Sequence, residues 1–204
     1  MKKIFIAAIA MISAMTANAQ VEQGKLFING QFGVSSTSYE NISNTKSSTF
    51  TFIPSVGYFL SDKFAIGLGI GGSTSRTKNT DNNTTSIYNQ IKVAPFARYY
   101  IPTSGDKFSF FAQGSLAFGV GKEKFKNNSN TSTGEKINTT DFAISPGFVY
   151  FPSSHWGVEL TLRGFYIEAR NSNDNSAGNY DNNKTTIGLD VNSLSPSLGI
   201  SYFF

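Results

Sequence analysis

Residues 48–60, Ser-Thr-Phe-Thr-Phe-Ile-Pro-Ser-Val-Gly-Tyr-Phe-Leu, carry an apolar side chain at every second position. Successive side chains of a β-strand point to opposite faces, so this alternation predicts a strand with one apolar face. That face comprises Phe50, Phe52, Pro54, Val56, Tyr58 and Leu60. The other face carries mostly small and polar residues.

The same alternation recurs along the chain. It defines eight segments, at residues 25–36, 48–60, 63–73, 86–101, 108–121, 140–151, 156–170 and 186–204. Short turns alternate with long Ser/Thr/Asn-rich connections at residues 37–47, 74–85, 122–139 and 171–185. This arrangement predicts an all-β protein, an eight-stranded antiparallel up-and-down transmembrane β-barrel with short periplasmic turns and longer extracellular loops.

An internal repeat supports the strand count. Each even-numbered segment carries a proline followed by an aromatic pair or cluster; the prolines are Pro54, Pro95, Pro146 and Pro196. Because proline has no N–H to donate to the ladder, we expect a bulge or a local distortion at each. In the last segment the apolar phase shifts after Val191, which predicts a bulge near Asn192 and Ser193.

The N-terminus has the features of an export signal. Lys2 and Lys3 precede a short apolar run, and Ala17-Asn18-Ala19 forms a small-x-small cleavage site. The run is too short to cross about 30 Å of hydrocarbon as a helix. Residues 1–19 are therefore predicted to be a cleaved signal peptide, and residues 20–204 an outer-membrane β-barrel domain.

The orientation of the strands decides between two kinds of barrel. Only 15% of the residues are charged, and the non-apolar face is rich in Gly, Ser, Ala and Thr, which suits a narrow lumen better than a water-facing surface. Aromatic residues cluster near the short turns and predict a membrane-interface girdle of Tyr58, Phe64, Tyr99, Phe108, Tyr150, Trp156 and Tyr202, with Phe204. The alternative is a soluble lipocalin-like ligand binder, with its apolar face turned inward.

The final strand ends in Ile200, Tyr202 and Phe204 at alternate positions. Here the chain resembles the small outer-membrane barrels, namely the outer membrane protein beta-barrel domain and the porin family, which are related to the membrane domain of outer membrane protein A and to outer membrane protein X. The resemblance covers about residues 20–204. It implies that the barrel-assembly machinery recognises these three residues during biogenesis, and it implies little about activity.

Four charged residues are expected inside the barrel, namely Lys92, Arg98, Glu159 and Arg163. Charges in a low-dielectric lumen must pair with each other or with trapped water. A fixed network of this kind would fill the lumen. The alternative is a narrow porin-like channel for ions or small solutes, in which Glu159 exchanges partners between Arg98 and Arg163.

The composition argues against catalysis. His155, the only histidine, falls at a short turn, and the chain has no cysteine. We therefore expect no enzymatic activity, cofactor or metal, and the lack of a Lys/Arg run gives no reason to expect nucleic acid. The predicted function is structural, or surface recognition through four polar loops in the bacterial outer membrane. The barrel is expected to be a monomer. Its expected partners are outer-membrane lipid, lipopolysaccharide and an unidentified extracellular ligand bound through the loops.

Overall fold

The computed structural model describes residues 21–39, 44–103, 107–127, 130–173, 181–189 and 196–204. These residues form ten strands: β1 (Leu26–Tyr39), β2 (Thr45–Ser61), β3 (Phe64–Asn79), β4 (Thr84–Pro102), β5 (Phe108–Asn127), β6 (Asn130–Tyr150), β7 (Trp156–Thr161), β8 (Phe165–Asn173), β9 (Asp181–Leu189) and β10 (Ser197–Phe203). No helix in these ranges could cross a bilayer.

The strands close into a ring. Consecutive strands pair antiparallel from β1 to β7, β7 pairs with β10, and β10 pairs with β1. This closes a ring of eight strands. The sheet continues beside it, where β8 pairs with residues 136–144 of β6 and β9 pairs with β8. The predicted eight-stranded antiparallel barrel is confirmed. We call the end with the β2–β3, β4–β5 and β6–β7 connections the short-turn end, and the opposite end the hairpin end.

The large apolar side chains lie on the outside of the ring. Leu68 is 41% exposed and Phe118 is 50% exposed, and outward apolar residues occur on all ten strands. Water would disfavour so large an apolar surface, whereas lipid hydrocarbon accommodates it. The predicted outward orientation is confirmed, and the inward apolar face of a lipocalin-like barrel is contradicted.

The polar segments expected to be irregular loops are instead largely paired strands. β2 begins at Thr45, β3 continues to Asn79 and β5 continues to Asn127. Hydroxyl groups join neighbouring strands there, with Ser47 Oγ 3.1 Å from Thr77 Oγ1. The loop boundaries were wrong because Ser, Thr and Asn on both faces give no alternation to detect, although threonine itself favours strands. We call these paired segments at the hairpin end the polar extensions.

The predicted seventh strand is interrupted by one extra residue. Gly147 pairs with Thr161 and Ile144 pairs with Phe165, so three steps on β6 match four on the facing chain. The Leu162 N–H donates to the Pro146 carbonyl across this bulge at 2.9 Å. Outward side chains have even numbers in β7, such as Val158, and odd numbers in β8, such as Phe165.

The final predicted strand also changes phase. The outward residues are Ile187 and Leu189 in β9, and Leu198 and Ile200 in β10, which confirms the predicted shift. The bulge expected near Asn192 and Ser193 lies outside the described residues.

Three of the four prolines are paired with a residue on one of their two neighbouring strands. Pro54 lies opposite Gly30, Pro95 opposite Leu68, and Pro146 opposite Ala112. On the other side of Pro95 the pairing passes from Val93–Phe118 to Phe96–Ser115 with no change of register.

Candidate functional site

The lumen at the short-turn end is filled by aromatic rings. These buried residues, here called the aromatic plug, are Phe27, Phe59, Phe96, Tyr100, Phe111, Phe151 and Phe203. The Phe27 ring centroid lies 5.5 Å from that of Phe203 and 5.4 Å from that of Phe59. Such distances are typical of favourable ring packing. The plug is therefore one continuous cluster of aromatic contacts.

The plug arises from apolar doublets; the sequence repeat contains four of them, but the single-face analysis did not assign their inward members. In each doublet one side chain faces outward and its neighbour faces inward, as for Tyr99, which is 48% exposed, and Tyr100, which is fully buried. The doublets are Leu26-Phe27, Tyr58-Phe59, Tyr99-Tyr100, Phe110-Phe111, Tyr150-Phe151 and Tyr202-Phe203. Two large apolar residues in succession break a strict alternation, and that break was the available signal.

Glycines on neighbouring strands make room for the plug. Phe27 lies directly opposite Gly57, and Phe111 lies directly opposite Gly147. A Cβ atom at Gly57 would come within 2.3 Å of the Phe27 ring, and one at Gly147 equally close to the Phe111 ring. The inward rings therefore lie flat across the strands beside them, which lets large rings fit a narrow barrel.

Next to the plug, an ion pair spans the lumen from β4 to β7. Nη1 of Arg98 lies 2.9 Å from both carboxylate oxygens of Glu159, and the two side chains are 5% and 2% exposed. The same nitrogen donates to the Tyr100 hydroxyl at 3.0 Å. The guanidinium carbon lies 4.2 Å from the Phe111 ring centroid, so cation–π attraction adds to the ion pair.

Further polar groups satisfy both members of the pair. Nε of Arg98 donates to Gln113 Oε1 at 2.9 Å, and the Ser201 hydroxyl donates to Glu159. Nδ2 of Asn29 in turn donates to Ser201 Oγ at 2.8 Å. A buried ion pair needs such additional hydrogen bonds to offset the cost of removing both charges from water. The predicted Arg98–Glu159 contact therefore forms one part of a wider network.

Two more contacts bridge β4 and β6 above the small residues of β5. Lys92 Nζ lies 2.5 Å from Asp141 Oδ2, and Gln90 Nε2 donates to Thr139 Oγ1 at 2.6 Å. Gly119 lies beneath the second contact, since a Cβ there would approach both partners to 2.5 Å. In this structure the partner of Lys92 is Asp141, on the facing strand β6.

The expected position of Arg163 was wrong. Its side chain is 48% exposed, and Nη2 lies 3.2 Å from Glu168 Oε2. Its guanidinium carbon lies 3.7 Å from the Tyr166 ring centroid. Arg163 falls in the bulge between β7 and β8, where the extra residue breaks the alternation that had aligned it with Glu159. The structure therefore offers Glu159 no exchange with Arg163.

The proposed girdle residues occupy one end of the barrel. Tyr58, Tyr99, Phe108 and Trp156 are exposed, whereas Phe64, Tyr150 and Tyr202 are half-buried. Neighbouring rings pack together, with centroid distances of 4.8 Å for Phe108–Tyr150 and 5.1 Å for Trp156–Tyr202. His155 stacks on Tyr202 with centroids 5.7 Å apart. Membrane contact by these rings stays a prediction.

The C-terminal residues differ in exposure. Ile200 is 52% exposed and Phe204 is only 5% exposed. The Phe204 N–H donates to the Leu26 carbonyl at 2.9 Å, and its ring lies 4.8 Å from that of Tyr202. Phe204 is thus fixed between the first and last strands, and it does not contribute an exposed ring to the girdle.

Comparison with known proteins agrees with this architecture. The outer membrane protein OprG from Pseudomonas aeruginosa matches with a TM-score of 0.51 and 15% identity, over 91% of this chain and 99% of that one. The E. coli outer membrane protein W matches with a TM-score of 0.50 and 14% identity, over 90% of this chain and 99% of that one. At such identity these matches show the fold alone, and no curated protein matched. The profile of the outer membrane protein beta-barrel domain matches residues 4–192, and the chain belongs to that family.

Proposed function

We propose that this protein is a non-enzymatic integral outer-membrane barrel whose lumen is closed, with a structural or surface-recognition role. The observation that carries the proposal is the Arg98–Glu159 bridge across the lumen, packed against the aromatic plug. A permeating ion would have to separate two buried, fully hydrogen-bonded charges and also displace packed rings. Both steps are costly, because separating the pair leaves two buried charges, each without its opposite charge.

A conductance measurement separates this proposal from a narrow porin-like channel. Purified full-length protein is inserted into planar bilayers, and the current is recorded under an applied voltage. Insertion is verified on the same preparation by the faster gel migration of unheated protein, which is typical of folded barrels. We expect an inserted barrel with no current steps. Steady single-channel steps from fully folded protein would establish the channel function instead.

The proposed location follows from family membership and from the sequence. We propose export through the signal peptide at residues 1–19, which lie outside the described residues, and recognition of Ile200, Tyr202 and Phe204 by the barrel-assembly machinery. The polar extensions would then lie at the cell surface, where they could contact an extracellular ligand. Fractionation of cells and protease treatment of intact cells test both statements, since surface cleavage should fall in the polar extensions and not at the short turns.

A matched pair of tyrosine variants, one in the last strand and one in β4, tests the assembly role. Tyr202→Ala should lower the amount of barrel in the outer membrane while the purified variant still refolds in detergent. Tyr99→Ala removes another aromatic residue from the same end of the barrel and should leave assembly in cells unchanged. Equal assembly of the two variants would show that Tyr202 has no special role in assembly.

A further inference from the structure

The outward face of the polar extensions carries a cluster of basic side chains. Its seven exposed members, here called the basic belt, are Lys46, Arg76, Lys78, Lys122, Lys124, Lys126 and Lys136. Directly paired residues of an antiparallel sheet share a face. Register therefore places the belt on one face of β2 to β6, for example through Asn89 opposite Lys122 and Lys122 opposite Lys136.

The belt begins where the apolar outer face ends. On β5 the outward residues run Leu116, Phe118 and Val120 and then Lys122, Lys124 and Lys126. Alternate residues of a strand are about 7 Å apart, so Lys122 lies one step beyond the last lipid-facing side chain. Basic side chains at this level extend their charged ends into the headgroup region while their methylene stems remain near hydrocarbon.

Two pairs in the belt oppose like charges. Lys46 lies directly opposite Lys78, and Lys122 lies directly opposite Lys136. Like charges directly opposite in a sheet are destabilising. Among the described residues, no member of the belt forms an ion pair. Such an arrangement becomes favourable when an anion lies between the two ammonium groups.

The described acidic side chains of this region are engaged elsewhere. Ser86 Oγ donates to Glu123 at 2.5 Å, Asp141 pairs with Lys92, and Glu168 pairs with Arg163. Asp81 lies in the β3–β4 turn, where its carboxylate accepts hydrogen bonds from Asn44. The outward face of the belt is therefore positively charged and available to an external anion.

We propose that the basic belt binds the phosphate groups of the glycolipid in the outer leaflet, with one phosphate between Lys122 and Lys136. The position of this pair immediately beyond the apolar face selects a lipid headgroup over a soluble acidic partner. Clusters of four to eight basic residues next to a membrane are typical of anionic lipid recognition. The inference rests on insertion in the outer membrane and is independent of whether the lumen conducts.

Binding of purified lipid A tests the proposal. The full chain in neutral detergent is titrated with diphosphorylated lipid A, and bound lipid is counted by native mass spectrometry. The double variant Lys122→Gln and Lys136→Gln should bind about thirtyfold more weakly, since each basic group near a membrane surface contributes about 1 kcal/mol and 1.4 kcal/mol is a factor of ten. The matched control is Lys63→Gln and Lys107→Gln, two exposed lysines at the short-turn end, which should bind like the wild type.

The choice of lipid identifies the chemistry that is recognised. Lipid A without phosphates should bind weakly to all variants, and inorganic phosphate at millimolar concentration should not displace the intact lipid. Equal affinity for the phosphate-free lipid, or equal loss in the control and belt variants, would overturn the proposal. Displacement by inorganic phosphate alone would show a simple anion site and also overturn it.

Stability provides an independent readout. In neutral detergent without lipid, either Lys122→Gln or Lys136→Gln should raise resistance to urea, because one of two repelling charges is removed. Addition of lipid A should stabilise the wild type more than either variant. A loss of urea resistance by either variant in lipid-free detergent would contradict the like-charge argument.

Discussion

Nη1 of Arg98 donates to both carboxylate oxygens of Glu159 at 2.9 Å, across the interior of the barrel. The two residues are 61 positions apart in the chain, and the contact joins β4 to β7. A cross-barrel contact of this kind fixes two strands that do not touch each other. Its rupture is therefore expected to affect the whole barrel.

Removing one partner of this pair should be strongly destabilising. We expect Glu159→Ala to lower the free energy of unfolding by about 3–5 kcal/mol, because Arg98 is left as an uncompensated buried charge. Urea unfolding in lipid vesicles, followed by tryptophan fluorescence from Trp156, measures the change. The exposed pair is the matched control, and Glu168→Ala should cost less than about 1 kcal/mol. Similar losses in the two variants would contradict the assigned burial.

The fit of Phe27 against Gly57 predicts a specific rescue. Gly57→Ala should destabilise the barrel by about 1–3 kcal/mol, because the new methyl group overlaps the Phe27 ring. Phe27→Leu introduced with Gly57→Ala should recover part of that loss, so the double variant should be more stable than the sum of the single effects predicts. Gly114→Ala is the control, since a Cβ there meets nothing within 4 Å. Additive effects in the double variant would show that the ring does not lie over Gly57.

Because the chain has no cysteine, single spin labels can test the orientation of the strands. A label at Phe118→Cys should be readily accessible to oxygen, which concentrates in hydrocarbon, because Phe118 faces outward. A label at Ser115→Cys, on the opposite face of β5, should be shielded from oxygen and from water-soluble relaxation agents. Electron paramagnetic resonance of the barrel in bilayers gives both accessibilities. Reversed accessibilities would place the apolar face inside.

Asp81 links two connections at the hairpin end in a pH-dependent manner. Its pKa is lowered because the side-chain and backbone N–H groups of Asn44 donate to the carboxylate. A carboxyl group with a lowered folded-state pKa contributes stability above its unfolded pKa and loses it as pH falls through the folded value. NMR titration should therefore show Asp81 titrating below ordinary aspartate, and Asn44→Ala should raise its pKa. An unchanged Asp81 pKa in Asn44→Ala would show that the Asn44 side chain does not lower it.

The lipid-facing half of the structure could be predicted from the sequence because hydrocarbon imposes a simple rule on alternate residues. Phe50 and Val56 follow that rule and were placed correctly. The polar extensions follow no such rule, since neither face is consistently apolar, and residues such as Ser47 and Thr77 gave no sign that they pair. Sequence composition identified these segments but could not show that they are strands.

The lumen was predictable only in part. Arg98 and Glu159 were recognised as inward charges because each lies on the non-apolar face of an alternating segment. Arg163 was misplaced because one extra residue between β7 and β8 changes the parity of everything that follows it. The inward orientation of Phe59 and Phe203 was not predicted, because a search for one apolar face assigns the neighbouring ring to that face and leaves its partner unassigned.

The bulge opposite Pro146 has a consequence for how this chain can vary. Deleting one residue among positions 162–164 would reverse the parity of β8 and expose Glu168 and Arg170 to hydrocarbon while burying Phe165 and Ile167. Length changes are therefore tolerated at this junction only in steps of two, whereas the hairpin tips can lengthen by any number without exchanging inside for outside. Natural relatives of this chain should show free length variation at the tips and none of odd size at the junction.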